Sequence, residues 1–265
     1  MINNILSIAG TDPSGGAGMQ ADLKTFSVMK TYGMSVVTAV VAQNTCGVRN
    51  FVAMEPQFVA DQIDAVFEDI RVDAVKIGMV ANAAIAEVIV ERLFHHRAQN
   101  IVLDPVMVAK SGDLLLDADA ITLIRDVMVP MAAIITPNLA EAEVLLNIKP
   151  NWSREQMHIH APALLELGCR SALLKGGNLK NMMATDIFCD RNGIKVLEAR
   201  RIPTCNDHGT GCTLSAAITA LLPVLPLKES VQYAKDYMTG ALRTAVQLNV
   251  GHGHGPVHHF HELWK

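Results

Sequence analysis

The chain has 265 residues, half of them hydrophobic but only 5% aromatic, with a formal net charge of -4 and five cysteines. That charge excludes a general attraction to nucleic acid or to an anionic membrane, so any phosphate binding must come from a local device. The apolar mass is mostly Ala, Val, Ile, Leu and Met, which suits helices packed on a buried parallel sheet, and the length is enough to bury a core without staples.

Short β-type runs alternate with longer helical patterns along the chain. Residues 5–9 read as a strand, 17–30 as a helix and 36–41 as a second strand. Residues 56–70 form a helical pattern with apolar side chains at Phe58, Ile63, Val66, Phe67 and Ile70. A strand at 74–77, a helix at 84–94 and a strand at 101–103 follow. A helix at 121–127 precedes a strand at 133–135, helices near 139–147 and 154–167, and a strand at 172–174. Strands at 185–190 and 194–199 flank Arg191-Asn192-Gly193, where Asn-Gly is a strong hairpin signal. Helices resume at 211–222 and run from 229 to about 249. This alternation predicts an α/β fold with a mostly parallel sheet covered on both faces and an antiparallel hairpin added to it. No repeat or linker-like tract breaks the chain, so one domain over 1–265 is expected. The scattered cysteines show no C-x-x-C pair and residues 1–4 no signal peptide, which predicts a reducing, cytoplasmic setting. The most apolar stretch, 214–227, is broken by Ser215, Thr219, Pro223 and Pro226 and is too short to span a bilayer.

In open α/β sheets, ligands bind outside the carboxyl ends of the strands. Polar or glycine-rich turns fall repeatedly at such ends: residues 10–18, Gln43, Gly78-Met79, Asp104-Pro105, Thr136-Pro137-Asn138 and Lys175-Gly176-Gly177. Within the first, Gly16-x-Gly18-x-x-Ala21 matches the dinucleotide fingerprint in form, but no acidic residue closes a second strand. Gly10 and Gly15 have Walker A spacing, yet Gly16-Ala17 stands where Lys-Ser/Thr is required, so both nucleotide readings fail at this loop.

His208-Gly209-Thr210-Gly211-Cys212 places two glycines before an Ala-rich helix. Helix N-termini present unpaired N–H groups and partial positive charge, so they hold anions. The same field is expected to lower the Cys212 thiol pKa. The plainer alternatives are a helix start capped by Thr210 and a small buried cysteine. Asn138-x-x-Glu141 is either a capping box or a start at which Glu141 orients the water ligands of magnesium, with Asp104 as second carboxylate. Lys175 can aim an ammonium at phosphates during transfer.

The chain resembles the hydroxymethylpyrimidine/phosphomethylpyrimidine kinases of thiamine biosynthesis, a ribokinase-like family. The likeness runs over nearly the whole chain, on A-G-T-D-P-S-G-G-A-G-M-Q-A-D-L-K-T at 9–25, D-P-V-M at 104–107, T-P-N-L at 136–139, L-K-G-G at 174–177, H-G-T-G-C-T-L-S at 208–215 and G-H-G-H-G-P at 251–256. The resemblance implies a ribokinase-like three-layer sandwich, ATP and Mg2+ as cofactors, a homodimer, and two phosphorylations, of an aminopyrimidine and of its monophosphate. It further implies that Cys212 is the catalytic base, that Gly209, Thr210 and Gly211 form an anion hole with it, and that Gly10, Ala17, Gln43, Met79 and Val106 line the pyrimidine pocket. Gln43 suits that role, since a carboxamide can donate to a ring nitrogen and accept from an exocyclic amine. Asp207 and Asn178 depart from the family's usual residues, and Asp207 is a second candidate for the base. The histidines at 252, 254, 258, 259 and 261 are too irregularly spaced for a preformed metal site and read as structural. Pyridoxal kinase, with the same fold, and a ligand sensor that has lost catalysis are the competing readings.

Overall fold

In the computed structural model, which describes residues 1–108, 116–177, 179 and 182–264, β1 (Asn4–Ala9) leads into α1 (Gly18–Val28) and β2 (Tyr32–Val37). The hairpin β3 (Ala39–Asn44) and β4 (Gly47–Ala53) follows, then α2 (Pro56–Asp69), β5 (Ala74–Ile77), α3 (Ala83–His95) and β6 (Ile101–Leu103). Next come α4 (Ala118–Leu123), α5 (Val129–Met131), β7 (Ile134–Ile135), α6 (Leu139–Leu146), α7 (Arg154–His160) and β8 (Ser171–Lys175). A second hairpin, β9 (Met183–Asp190) and β10 (Gly193–Arg200), precedes α8 (Thr210–Leu221) and α9 (Leu227–Thr244).

The main sheet has the order β10-β9-β8-β7-β6-β5-β1-β2. It is parallel from β8 through β2, and β9 and β10 extend it antiparallel, as the Asn-Gly signal predicts. Strand residues alternate between the faces because successive side chains point to opposite sides. Leu6, Ile8, Val75, Ile77, Leu103 and Leu174 pack with α2, α3 and α6 residues. Ile5, Ala74, Val102, Ile134 and Leu173 face α1, α8 and α9 residues on the other side. The result is the helix–sheet–helix sandwich. The order reverses at the β1/β5 boundary, because β1 is followed on one side by β2 and on the other by β5. A switch point of this kind opens a crevice at the carboxyl edge.

Four local expectations change. The strand expected at 36–41 is two strands, because the chain leaves the main sheet at Thr38. There the Thr38 amide still donates to the Ala9 carbonyl, but its hydroxyl donates to the Met79 carbonyl at 2.6 Å. β3 then pairs only with β4, a strand not anticipated although Val48, Phe51 and Val52 are good strand formers. The helix expected at 121–127 is α4, a π-helical turn (Ile124–Met128) and α5. Pro130 lacks an N–H and crowds the preceding turn, which a widened turn relieves. Pro162 likewise ends α7, and Pro162–Leu167 is a 3-10 helix. In the β9–β10 turn the central residues are Arg191 and Asn192, with Gly193 at φ 129 re-entering the ladder opposite Asp190.

One feature of the α1/α8 face is not apolar. Lys76, in the middle of β5, and Asp22, on α1, are fully buried and form an ion pair at 2.6 Å, and Ser7 of β1 donates to Asp22 at 2.6 Å. Burial works against the lysine charge, but Asp22 and the acidic groups around it outweigh burial and hold Lys76 protonated. Removing one member of a buried pair leaves an uncompensated charge, whereas replacing both is far cheaper. Lys76→Met is therefore expected to lose about 3–5 kcal/mol in urea denaturation, and Asp22→Leu combined with Lys76→Met to recover most of it.

Candidate active site

The loop after β1 is stitched together by one carboxylate. Asp12 is fully buried and accepts hydrogen bonds from the Ser14, Gly16 and Ala17 amides at 2.9, 3.1 and 2.7 Å, and from the Ser14 hydroxyl at 2.7 Å. Its Oδ2 also meets His208 Nε2 at 2.8 Å, across 196 positions of sequence. Burial opposes the Asp12 charge, yet His208, Ser14 and Ala17 together hold its carboxyl well below the usual range. The clamp presses the 10–18 loop against residue 209. Gly209 lies at φ 79, and a Cβ there would collide with the Gly16 carbonyl, so only glycine fits. Gly209, and not Thr210, is therefore the N-cap of α8. Thr210 is the first helical residue.

The first turn of α8 opens into a cavity of about 650 Å3. Gly209, Thr210, Gly211 and Cys212 line it on one side, and Asp104, Glu141 and Lys175 on another. Ala17 and Val106 also reach it. Gly10, Gln43 and Met79 do not line this cavity. Gly10 and Met79 meet at the ends of β1 and β5, where a Cβ on Gly10 would lie 2.5 Å from Met79 Cε. Gln43 is half-buried at a bulge in the β3–β4 ribbon. The 10–18 loop is thus both a tight turn and, through Ala17, a wall.

Lys175, the last residue of β8, donates to Asp104 Oδ1 at 2.9 Å. Thr136 donates to the same oxygen at 2.9 Å and Ser215 of α8 to Oδ2 at 3.1 Å. Burial pushes against the Asp104 charge, but Lys175 and Lys76 outweigh it and keep the group ionised. A Cβ on Gly211 would stand 3.3 Å from Lys175 Nζ, which puts the helix start and the ammonium side by side. Glu141 does form the capping box: its Oε2 accepts from the Asn138 amide at 2.8 Å, and Asn138 Oδ1 accepts from the Glu141 amide at 2.9 Å. It lines the cavity as well. Burial pushes its carboxyl up to about 7, with Lys175 opposing and Asp104 adding.

The expected lowering of the Cys212 thiol pKa is reversed. Burial raises it, Lys76 opposes this, and the Asp22 and Asp104 carboxylates raise it further, with the Gly18 amide pulling the other way. The helix field is outweighed by loss of water. Asp207 lines the same cavity, but its carboxylate pairs with His254 Nδ1 at 2.7 Å. Asn178 lies outside the described residues. Among the tail histidines, His259 bonds Thr213 of α8 at 3.0 Å, and burial pushes its imidazole down to about 3. His258 packs on Trp264 and His261 on Tyr237. Sequence reading missed Asp12, Asp22, Lys76 and the Asp186–Lys235 pair at the cavity wall, which meets at 2.7 Å. Lysine inside a four-residue apolar strand was the available signal for the buried cation.

A glycine-capped helix start beside a charged lysine, at the carboxyl edge of a sheet with this topology, matches the ribokinase-like α/β class of small-molecule kinases. A family model described as phosphomethylpyrimidine kinase matches residues 12–258. The hydroxymethylpyrimidine/phosphomethylpyrimidine kinase of Salmonella typhimurium is 51% identical over 262 residues, covering 98% of both chains. The crystal structure of phosphomethylpyrimidine kinase from Clostridium difficile is 44% identical, with a TM-score of 0.81 over 91% of this chain and 99% of that one. The ADP complex of Bacillus subtilis pyridoxal kinase is 33% identical and superposes over both whole chains with a TM-score of 0.93. The chain belongs to the phosphomethylpyrimidine kinase family.

The Glu141 environment has a measurable consequence in the absence of nucleotide and divalent cation. The carboxyl titrates near 4.5 ordinarily and at about 7 in the fold. Between these values the unfolded chain has already lost the proton that the native state keeps, so stability falls as pH rises and the loss is complete above about 7. Glu141→Gln, which keeps the capping box, is expected to remove this slope. Urea titrations from pH 5 to 8 should show wild type losing about 2–3 kcal/mol relative to the variant.

Proposed function

We propose that the chain transfers the γ-phosphoryl group of ATP to the hydroxymethyl group of 4-amino-5-hydroxymethyl-2-methylpyrimidine, and then phosphorylates the monophosphate to the diphosphate. The observation that carries this reading is the α8 start, with Cys212, set beside the Lys175–Asp104 pair in one cavity. The substrate hydroxyl attacks the γ-phosphorus, a new P–O bond forms, the β–γ bridging bond breaks, and ADP leaves. Cys212 Sγ, in its thiolate form, takes the hydroxyl proton and becomes the neutral thiol. The N–H groups of residues 210–212 and the Lys175 ammonium stabilise the charge spreading over the transferring oxygens. Gln43 pairs with the aminopyrimidine edge from the ribbon, with Gly10 and Met79 forming the apolar wall of that side.

The donor set fits a magnesium ion held largely through water. Magnesium takes few protein carboxylates and keeps several waters. The Asp104 oxygens are already engaged by Lys175, Thr136 and Ser215, and one oxygen of Glu141 by the Asn138 amide. Asp104 and Glu141 would hold the ion, which supplies charge neutralisation on the phosphates when bound. The five cysteines are all unpaired, which supports a cytoplasmic setting. No helix among the described residues is long and apolar enough to cross a membrane.

The ribbon supports a homodimer. Val40 and Val52, paired across the ribbon and so on one face of it, are 53% and 66% exposed, an apolar patch that a second copy would cover. Val52→Asp is expected to shift the chain from dimer to monomer in light scattering after size exclusion, and a wild-type monomer would sink the proposal.

The pyridoxal reading is favoured by the TM-score of 0.93 to the Bacillus enzyme, against the higher sequence identity to pyrimidine kinases. A coupled ADP-release assay with hydroxymethylpyrimidine, its monophosphate and pyridoxal separates the two, and turnover of pyridoxal alone overturns our choice. Cys212→Ser should cut kcat about 10²–10⁴-fold while leaving nucleotide affinity within about threefold. Because the active form is the thiolate and the thiol pKa is raised, wild-type kcat should climb as pH rises through and above neutrality.

A further inference from the structure

The alternating glycines of the Gly251-His252-Gly253-His254-Gly255-Pro256 segment face two different parts of the site. On one side they meet Thr45, in the turn of the β3–β4 ribbon. The Gly253 amide donates to Thr45 Oγ1 at 3.2 Å and the His254 amide to the Thr45 carbonyl at 2.8 Å. A methyl group on Gly251 or Gly253 would collide with Thr45. On the other side the segment meets the loop leading into α8. The His208 amide donates to the Gly255 carbonyl at 3.0 Å, and His208 bridges to Pro256 in parallel register. A methyl on Gly255 would collide with the Asn206 side chain. His254 meets Asp207, but that pair is exposed, and exposed pairs contribute about 0–1 kcal/mol. The backbone bonds and the close glycine approaches are therefore the stronger links.

Thr45 is two residues beyond Gln43, and His208 immediately precedes Gly209. We propose that the 251–256 segment is a tether that sets the anion-hole loop by the position of the pyrimidine-side ribbon, with Thr45, Gly253 and Gly255 as positioning residues for phosphoryl transfer. The segment is seated on Thr45 at one end and on residues 206–208 at the other, so a shift of the ribbon moves the start of α8. This rests on the reading above that residues 209–212 hold the transferring group.

The test is steady-state kinetics of Gly253→Ala, Gly255→Ala and the double variant, with hydroxymethylpyrimidine and ATP as substrates. Gly253→Ala acts on the ribbon side, yet it is expected to lower kcat about ten- to hundredfold, with the KM for ATP within about twofold. The double variant should lose no more than the worse single one, because both act on one path. A Gly253→Ala enzyme that changes only the pyrimidine KM, or losses that multiply in the double variant, would overturn the tether. If Gly253→Ala does not fold, Gly251→Ala, whose methyl meets the Thr45 side chain instead of its carbonyl, replaces it, and an unchanged kcat there is equally decisive. Gly211→Val, whose side chain would crowd the Lys175 ammonium at the helix start, separates the two ideas in the same assay: full activity sinks the anion-hole reading, whereas wild-type kcat in Gly253→Ala sinks the tether alone.

Discussion

The site depends on a single buried carboxylate. Asp12 gathers the 10–18 loop around itself and then reaches His208, so that two segments almost 200 positions apart are held backbone to backbone. Without that clamp the close approach of Gly209 to Gly16 has nothing to enforce it, and the start of α8 is no longer fixed against the β1 strand end. A buried carboxylate is tolerable only where hydrogen bonds replace its hydration, and the amides of Ser14, Gly16 and Ala17 do so. The glycines of the loop follow from this constraint, since amides can converge on one oxygen pair only if the chain curls tightly.

Beneath the clamp the charges alternate. Asp22 is paired with Lys76 and Asp104 with Lys175, and Glu141, with its carboxyl raised by burial, keeps its proton over much of the acidic range. Cys212 stands among these groups and is also biased toward its neutral form. At rest the carboxyls Asp104 and Glu141 at this end of the cavity are therefore paired or biased toward the neutral form. Read as the base, the thiol trades reactivity for stability: a third permanent carboxylate here would be repelled by Asp22 and Asp104. A thiolate formed on demand would be attracted by Lys76.

The sheet was legible in the sequence because strand and helix periodicities differ so clearly, and the boundaries of β5 and β6 matched their apolar runs. The β3–β4 ribbon was not, because Thr38 breaks the strand through a hydroxyl bond to Met79, a residue 41 positions away. Part of the candidate site was legible at strand ends, since one cavity gathers Asp104, Glu141, Lys175 and residues 209–212, whereas Gly10, Gln43 and Met79 lie outside it. Of the ion pair under it, only the lysine in an apolar strand left a signal, since Asp22 acquires its meaning when β5 and α1 face each other. The sign of the Cys212 shift was misjudged for a related reason. A helix start can be read locally, but burial cannot.

Glu141 shows why local signals so often divide between a structural and a functional reading. Asn138-x-x-Glu141 is a capping box, and the same bond that satisfies the Asn138 amide fixes the Glu141 side chain at the cavity wall. One oxygen is spent on the helix and the group is thereby positioned for the site. Lys175 repeats the pattern, because its Asn138 neighbour in the β-bridge aligns the helix start with the strand end that carries the ammonium. In a cavity built from strand ends and helix starts, the caps and turns are what place the lining side chains. At Glu141 a structural bond and a place on the cavity wall therefore coincide, whereas the bonds of His259 lead away from the cavity into the packing of α8 and α9.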